Sequence, residues 1–264
     1  MMIFNFTPAF IFILGGILTF ILKQRLLKLL PILTPIFALV SLNSLSTSSK
    51  YSIPFLSYNL QFLRVDSLSL IFGYLFVIFA FFAFLYGIKI ACSFEYTAAM
   101  FYIGSALAVI FTHDFITLYI FWELMAVSSV FLILLSKSNN SFKSSLRYII
   151  VHLVGGLILL AGIVMHVNNT GSIEFNQLTL GSISSYLIFI GFLINAAAVP
   201  FSSWLSDAYP ESTLMGGVIL SSITTKTAIY TLIRGFSGTD ALIWIGAITG
   251  IYGVIYGLFE NNVR

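Results

Sequence analysis

Charge is scarce in this chain. Asp, Glu, Lys and Arg make up 8% of its 264 residues, against about 25% in a typical soluble domain. Cysteine is nearly absent. Cys92 stands alone, which excludes an internal disulfide and argues against a cysteine-based metal site. No ligand set for a flavin, an iron–sulfur cluster or a nucleotide is visible, so no cofactor is expected. There is no charge run, linker or soluble domain. No A-x-A cleavage site follows the first apolar run, which therefore reads as a retained helix rather than a signal peptide. The 12 basic residues outnumber the 9 acidic ones, but they are scattered over short loops and do not point to nucleic acid.

What the chain has in abundance is apolar sequence: 59% of residues are hydrophobic and the mean hydropathy is +1.04. The apolar runs are too many and too long for one buried core. They are continuous rather than alternating, which excludes a barrel and predicts an all-α, polytopic transmembrane bundle. Nine spans are expected, near 3–22, 29–44, 67–90, 97–112, 115–136, 147–167, 183–204, 213–234 and 241–259.

Alternating these spans across a bilayer sorts the loop cations into two sets. One holds Lys23, Arg25, Lys28, Lys89, Lys137, Lys143, Arg147 and Arg264; the other holds Lys50, Arg64 and Arg234. By the positive-inside rule the larger set is cytoplasmic and the N-terminus lies outside. The expected location is a cell inner membrane, crossed many times. The segment 45–65 alternates near its end (YSIPFLSYNLQFLRVD), which suits a short extracellular hairpin. The polar loop 169–182 is expected to be ordered by packing alone.

Two ionisable residues stand in the middle of apolar spans: Glu123 in ITLYIFWELMAVSSVFLILL and Lys226 in GGVILSSITTKTAIYTLI. Placing such a group at bilayer depth costs roughly 2.5–3.5 kcal/mol on insertion scales, and such groups mark ion or proton pathways. Tyr119 lies one turn before Glu123, and Ser222 and Tyr230 lie one turn to either side of Lys226. The bland readings are a glutamate that bonds a neighbouring helix without changing state, and a lysine that snorkels to the surface. His152, in YIIVHLVGG, suits either a water wire or a packing role. His166 falls near a span end and reads as interfacial. His113 and Asp114 form a tight turn in which Asp114 caps the next helix. In FLINAAAVPFSSWL, Pro200 breaks or kinks its helix and Asn195 lies just before it. Broken helices in transporters line polar cavities. Asp207 lies in WLSDAYPEST, and Glu211-Ser212-Thr213 opens the next helix with an N-cap among them.

The stretches LRVDSLSLIFGYLF, HDFITLYIFWELMAVSS, NAAAVPFSSWLSDAYPEST, SSITTKTAIYTLIRGF and FENNVR together resemble one family. It comprises the antiporter-like membrane subunits shared by respiratory complex I (NADH-quinone oxidoreductase) and the Mrp-type monovalent cation/proton antiporters, with the D-type branch nearest. The resemblance covers most of residues 63–264. It implies that Glu123 is the fifth-helix glutamate that modulates buried lysines, that Lys226 is the eighth-helix lysine of a central hydrophilic axis, and that Pro200 marks a discontinuous seventh helix. Asn195 stands where the family has the lysine that pairs with the glutamate, so that pair is absent and Glu123 is expected to look to Lys226.

The resemblance also implies a longer family pattern, with two five-helix bundles related by inversion. In that pattern residues 1–92 are three N-terminal helices, 93–236 the first five-helix bundle, and 237–264 the first helix of a second bundle. The expected function is a transport subunit without catalytic chemistry of its own: part of a proton or monovalent-cation conduit working beside other membrane subunits, one of which supplies the second bundle. It is expected to be incomplete as a single chain. The alternative is a non-conducting scaffold fragment of a split or decaying gene.

Overall fold

The computed structural model describes residues 7–21, 29–46 and 51–260. Lys23, Arg25, Lys28, Lys50 and Arg264, five of the loop cations, lie outside the described residues. Ten helices and one hairpin are seen: α1 (Pro8–Ile21), α2 (Leu30–Ser44), β1 (Ser52–Phe55), β2 (Tyr58–Gln61), α3 (Ser67–Gly87), α4 (Ser93–Phe111), α5 (Phe115–Leu134), α6 (Ser141–Thr170), α7 (Ile183–Asn195), α8 (Ser203–Ala208), α9 (Leu214–Phe236) and α10 (Asp240–Phe259). Each of the nine expected spans is helical, the seventh as the two pieces α7 and α8. By length and composition α3, α4, α5, α6 and α10 can each cross a membrane, and α1, α2 and α7 are shorter apolar helices.

α4 is the inner helix. Buried residues make up 89% of its apolar stretch, against 0% for α10. Small side chains at Ala98, Ala99, Gly104, Ala106 and Ala108 let its neighbours close in. α1 crosses at Gly104, where a Cβ would stand 3.0 Å from the Ala9 carbonyl oxygen. α6 and α7 meet the same way: a Cβ at Gly162 would stand 2.7 Å from the Ile188 amide nitrogen. In an apolar solvent, close backbone packing of this kind is a main source of helix association. α10 buries none of its residues.

Helix starts follow local chemistry. Asp66 and Ser69 form a capping box on α3, and Ser182 and Ser185 form one on α7. Asp114 caps α5 by accepting from the Thr117 amide at 2.7 Å, and also accepts from the Gln61 amide at 2.7 Å. Thr213 is the N-cap of α9, accepting from the Gly216 amide at 3.0 Å. α6 begins at Ser141, six residues earlier than the 147–167 span, so Lys143 and Arg147 are helical rather than loop residues. The Ser138 hydroxyl holds the Ser141 amide at 3.0 Å and starts the helix there. Arg147 lies in α6 because it is neutralised: its Nε and Nη2 donate to Asp207 at 2.7 and 2.6 Å.

The segment 52–61 is the expected hairpin, Ser52 facing Gln61 and Phe55 facing Tyr58. The 169–182 loop differs from its expectation, since backbone hydrogen bonds order it as well as packing. The Phe115 amide donates to Ile173 and the Phe175 amide to His113, both at 2.8 Å. Two arginines sit at this end of the bundle. Arg64 Nη1 is 3.2 Å from His113 Nδ1; a guanidinium only donates, so Nδ1 accepts. Burial pushes the His113 pKa below its ordinary value, and the Arg64 charge acts in the same direction. Buried Arg234 donates to Asp66 at 2.8 Å. Burial alone would raise the Asp66 pKa. The Arg234 hydrogen bond, the Ser69 amide and the two arginine charges outweigh it and hold the carboxyl at about 2.

Candidate functional site

Glu123 lies mid-way along α5 and meets α6 at a glycine. A Cβ at Gly156 would fall 2.0 Å from Glu123 Oε1, so only glycine leaves room for the carboxylate as it stands. The Tyr119 hydroxyl, one turn earlier, is within hydrogen-bonding reach of the same carboxylate. Oε1 itself is buried without a hydrogen-bond partner.

His152 is one turn before Gly156 on α6 and is 1% exposed. Its Nδ1 is 2.9 Å from the Tyr148 carbonyl oxygen. A carbonyl only accepts, so Nδ1 carries a proton and Nε2 is the ring's open position. Nε2 is buried and unpartnered. The ring stacks on Tyr148 at 4.0 Å and meets Trp204 of α8 edge-on at 4.6 Å.

Asn195 is the last residue of α7 and is 1% exposed, with Oδ1 unpartnered. The helix then stops. Ala197 turns into the left-handed region (φ 54°), and the amides of Ala197 and Ala198 fold back on the carbonyls of Ile194 and Leu193. Trp204 Nε1 donates to the Ile194 carbonyl at 3.0 Å, clamping α8 over the end of α7. The break thus falls where it was expected, between Asn195 and Pro200. Pro200 itself is exposed. The Val199 amide donates to Thr249 of α10 at 3.2 Å.

A fourth buried and unpartnered atom is Trp122 Nε1, beside Glu123; its ring packs on Phe192 of α7 at 5.2 Å. Ile194 of α7 rests on Gly155, the neighbour of Gly156. Glu123, His152 and the end of α7 are therefore all brought to one turn of α6, residues 152–156. Of the buried side-chain atoms among the described residues, those without a hydrogen bond are the four of this junction. Trp122, Gly156 and Trp204 were not singled out from sequence. The signals available were the tryptophan beside Glu123 and the glycine pair one turn after His152.

Lys226 stands elsewhere. It is half-buried on α9, its Nζ donating to the Ser221 carbonyl at 2.6 Å. It lines a cavity of about 660 Å³ between the helix break, α8, α9 and α10, together with Tyr209, Thr225, Thr249 and Tyr256. Ser222 and Tyr230 do not join it there. The Ser222 hydroxyl bonds the Val218 carbonyl at 2.6 Å. Tyr230 donates to the Ile110 carbonyl and accepts from Arg234 Nε at 2.7 Å. Helical side chains lean toward the N-terminus, which takes the lysine away from Tyr230 and over the 221–222 turn, where its ammonium bonds the Ser221 carbonyl while the Ser222 hydroxyl is held by Val218. Glu123 and Lys226 form no direct ion pair; among the described residues the ion pairs join Arg64 and Arg234 to Asp66 and Arg147 to Asp207.

Residues 112–264 match the family described as NADH:quinone oxidoreductase/Mrp antiporter, TM. The chain is 25% identical over 190 residues to the D-type subunit of the Na(+)/H(+) antiporter of Bacillus subtilis, covering 65% of this chain and 38% of that protein. It is 29% identical over 192 residues to the M-type subunit of the NADH-quinone oxidoreductase of Escherichia coli, covering 62% of this chain and 38% of that protein. The chain thus spans well under half the length of these relatives. In fold it is similar to a chain of the Mrp complex from a Dietzia species, with TM-score 0.81, 19% identity and coverage of 97% of this chain and 54% of that one. It is also similar to a chain of respiratory complex I from Thermus thermophilus, with TM-score 0.79, 19% identity and coverage of 96% and 59%. The family match covers more than half of the sequence, and with it the helix carrying Glu123, the broken helix ending at Asn195 and the helix carrying Lys226. This chain is an integral membrane protein that belongs to the NADH:quinone oxidoreductase/Mrp antiporter transmembrane family.

Proposed function

We propose that the chain is a membrane subunit of a proton-conducting, antiporter-like complex and supplies one half of its ion path. The observation that carries this reading is the junction at residues 152–156 of α6, where a carboxylate oxygen of α5, an imidazole with one open nitrogen and the amide oxygen at the end of α7 are buried with hydrogen-bonding capacity unused. Buried polar groups are normally satisfied, and their clustering here suits a path that takes up and releases a charge. In this reading Glu123 and His152 carry the proton, with Tyr119 bonding the glutamate. Asn195 relays through water, because an amide bonds but does not titrate near neutral pH. Lys226 serves the cavity beyond the break.

A second bundle is proposed to lie against α10, carried by further chain or by another membrane subunit. The support is α10 itself, which can span a membrane yet buries none of its residues. Residues 93–236 then form the first bundle and 237–264 begin the second. The basic loops face the cytoplasm, and the membrane is the inner membrane of a bacterial cell. The related Bacillus protein is an Na(+)/H(+) antiporter subunit and the Escherichia one an NADH-quinone oxidoreductase subunit; the transport reading follows the first.

The test is proton flux in vesicles. The chain co-reconstituted with a subunit carrying the second bundle should conduct, and Glu123→Gln or Lys226→Ala should each abolish that flux. Flux that survives both substitutions would make the two residues structural, and no flux from the complex would favour a non-conducting scaffold.

A further inference from the structure

We propose that His113, Arg64 and the 172–178 loop form an acid-sensitive latch: a proton arriving on the His113 ring detaches Arg64 and loosens the anchor at Phe175 that ties the loop to α5 and α7. The latch lies where α4 turns into α5, at the end of the bundle away from Lys137.

Phe175 is the anchor. It is fully buried, its ring against Phe115 of α5 at 5.0 Å and Phe192 of α7 at 6.0 Å. Phe192 in turn packs on Trp122, the neighbour of Glu123. Both backbone polar groups of Phe175 are held by the latch. Its amide donates to the His113 carbonyl at 2.8 Å, and its carbonyl accepts from Arg64 Nη1 at 3.2 Å. The same Nη1 donates to His113 Nδ1 at 3.2 Å. The His113 amide donates to the Gln61 carbonyl of β2 at 3.0 Å, so the hairpin meets the loop here as well. One imidazole lone pair thus fixes the guanidinium that holds the loop.

That bond exists only while His113 is neutral. A protonated imidazole donates from both nitrogens and offers a guanidinium no acceptor. It would also stand as a second cation at hydrogen-bonding distance from the first, where like charges repel. The charged groups bearing on the ring are Arg64 and Arg234, which oppose its protonation, and Glu174 and Asp114, which favour it. Burial and the arginines outweigh the carboxylates and hold the ring's pKa below its ordinary value. His166 reaches the same cluster through Phe115, edge-on at 5.4 Å. Arg64 has a place to go when released: its Nε already pairs with Asp66 at 3.3 Å, and that carboxyl, held at about 2, stays charged. The latch is therefore fully closed above the ordinary histidine value of about 6.5 and opens as pH falls below it.

The inference is independent of the transport reading, and its test needs no flux. The full chain in lipid nanodiscs, carrying isotope-labelled histidine, is titrated by NMR from about pH 7.5 to about pH 5, either side of the ordinary value. The His113 signal is identified by its loss in His113→Gln. Hydrogen exchange of 172–178 is measured at both ends of the range and corrected for the intrinsic effect of pH. His113 should titrate below its ordinary value. The loop should exchange about fivefold faster at the acid end, the equivalent of one net hydrogen bond. Arg64→Met should raise the titration point of His113, and His113→Gln should remove the acid step. Wild-type protection that does not change with pH overturns the latch, as does a His113 that titrates at or above its ordinary value or that Arg64→Met leaves unmoved. An acid step that persists in His113→Gln overturns it too, and assigns the step to His166 or a carboxylate.

Discussion

The Glu123 carboxylate occupies the space that a side chain at position 156 would need: a Cβ there would stand 2.0 Å from Oε1. The obstacle is the far end of a flexible side chain, whereas at Gly162 it is the Ile188 backbone nitrogen, 2.7 Å away. Gly156→Ala is therefore expected to leave the fold intact while displacing the carboxylate, reducing flux with little change in thermal stability. Gly162→Ala should do the reverse by forcing α6 and α7 apart, at a cost of about 1–3 kcal/mol. Melting and flux measured on both variants check this; equal loss of stability in the two would contradict it.

Asp66 ties the start of α3 to the end of α9 by capping one and pairing with Arg234 of the other. Its pKa, about 2 in the folded chain, lies below the about 3.9 of an unfolded aspartate. The stability it contributes is fully present above about pH 4 and is lost as pH falls toward 2. Asp66→Ala should cost about 1 kcal/mol from the cap alone and flatten that part of the pH–stability profile. A profile unchanged from wild type would rule out this role.

Arg147 and Asp207 join α6 to α8 through two parallel hydrogen bonds. The Arg147 side chain is 56% exposed, so the pair is worth only about 0.2–1 kcal/mol. Its effect should fall on the position of α8 instead. Arg147→Lys cannot reproduce the bidentate geometry and should loosen α8 nearly as much as Arg147→Ala. Hydrogen exchange in 203–208 reports this, and wild-type protection in both variants would refute it.

Trp204 carries the other clamp on the break, donating to the Ile194 carbonyl and bordering His152. Trp204→Phe keeps the ring contact and removes the donor. The expectation is faster exchange at the end of α7 and lower flux, with the loss of a net hydrogen bond costing about 1 kcal/mol. A variant with normal exchange and normal flux would show that the clamp is dispensable.

The helices that were easiest to read owe least to their neighbours. Continuous apolar runs can satisfy their backbone only as helices, so the spans appear in the sequence as hydropathy, and two of their starts as Asp114 and the Glu211-Ser212-Thr213 turn. Glu123 was visible for the same reason, as a charge where an apolar residue costs less. The break after Asn195 was legible because proline lacks the donor that a helix needs.

The sequence by itself determined the fold class, the spans, the broken helix and the residues worth suspecting. Only the tertiary structure decided their partners. Spacing placed Ser222 and Tyr230 with Lys226, but the Val218 carbonyl holds the one hydroxyl and the Ile110 carbonyl and Arg234 hold the other. That Glu123 rests on Gly156, with His152 one turn away, was likewise not visible in the sequence. Which faces meet across a bundle depends on where glycines let backbones approach, and that long-range packing is not written in the spacing of any one helix.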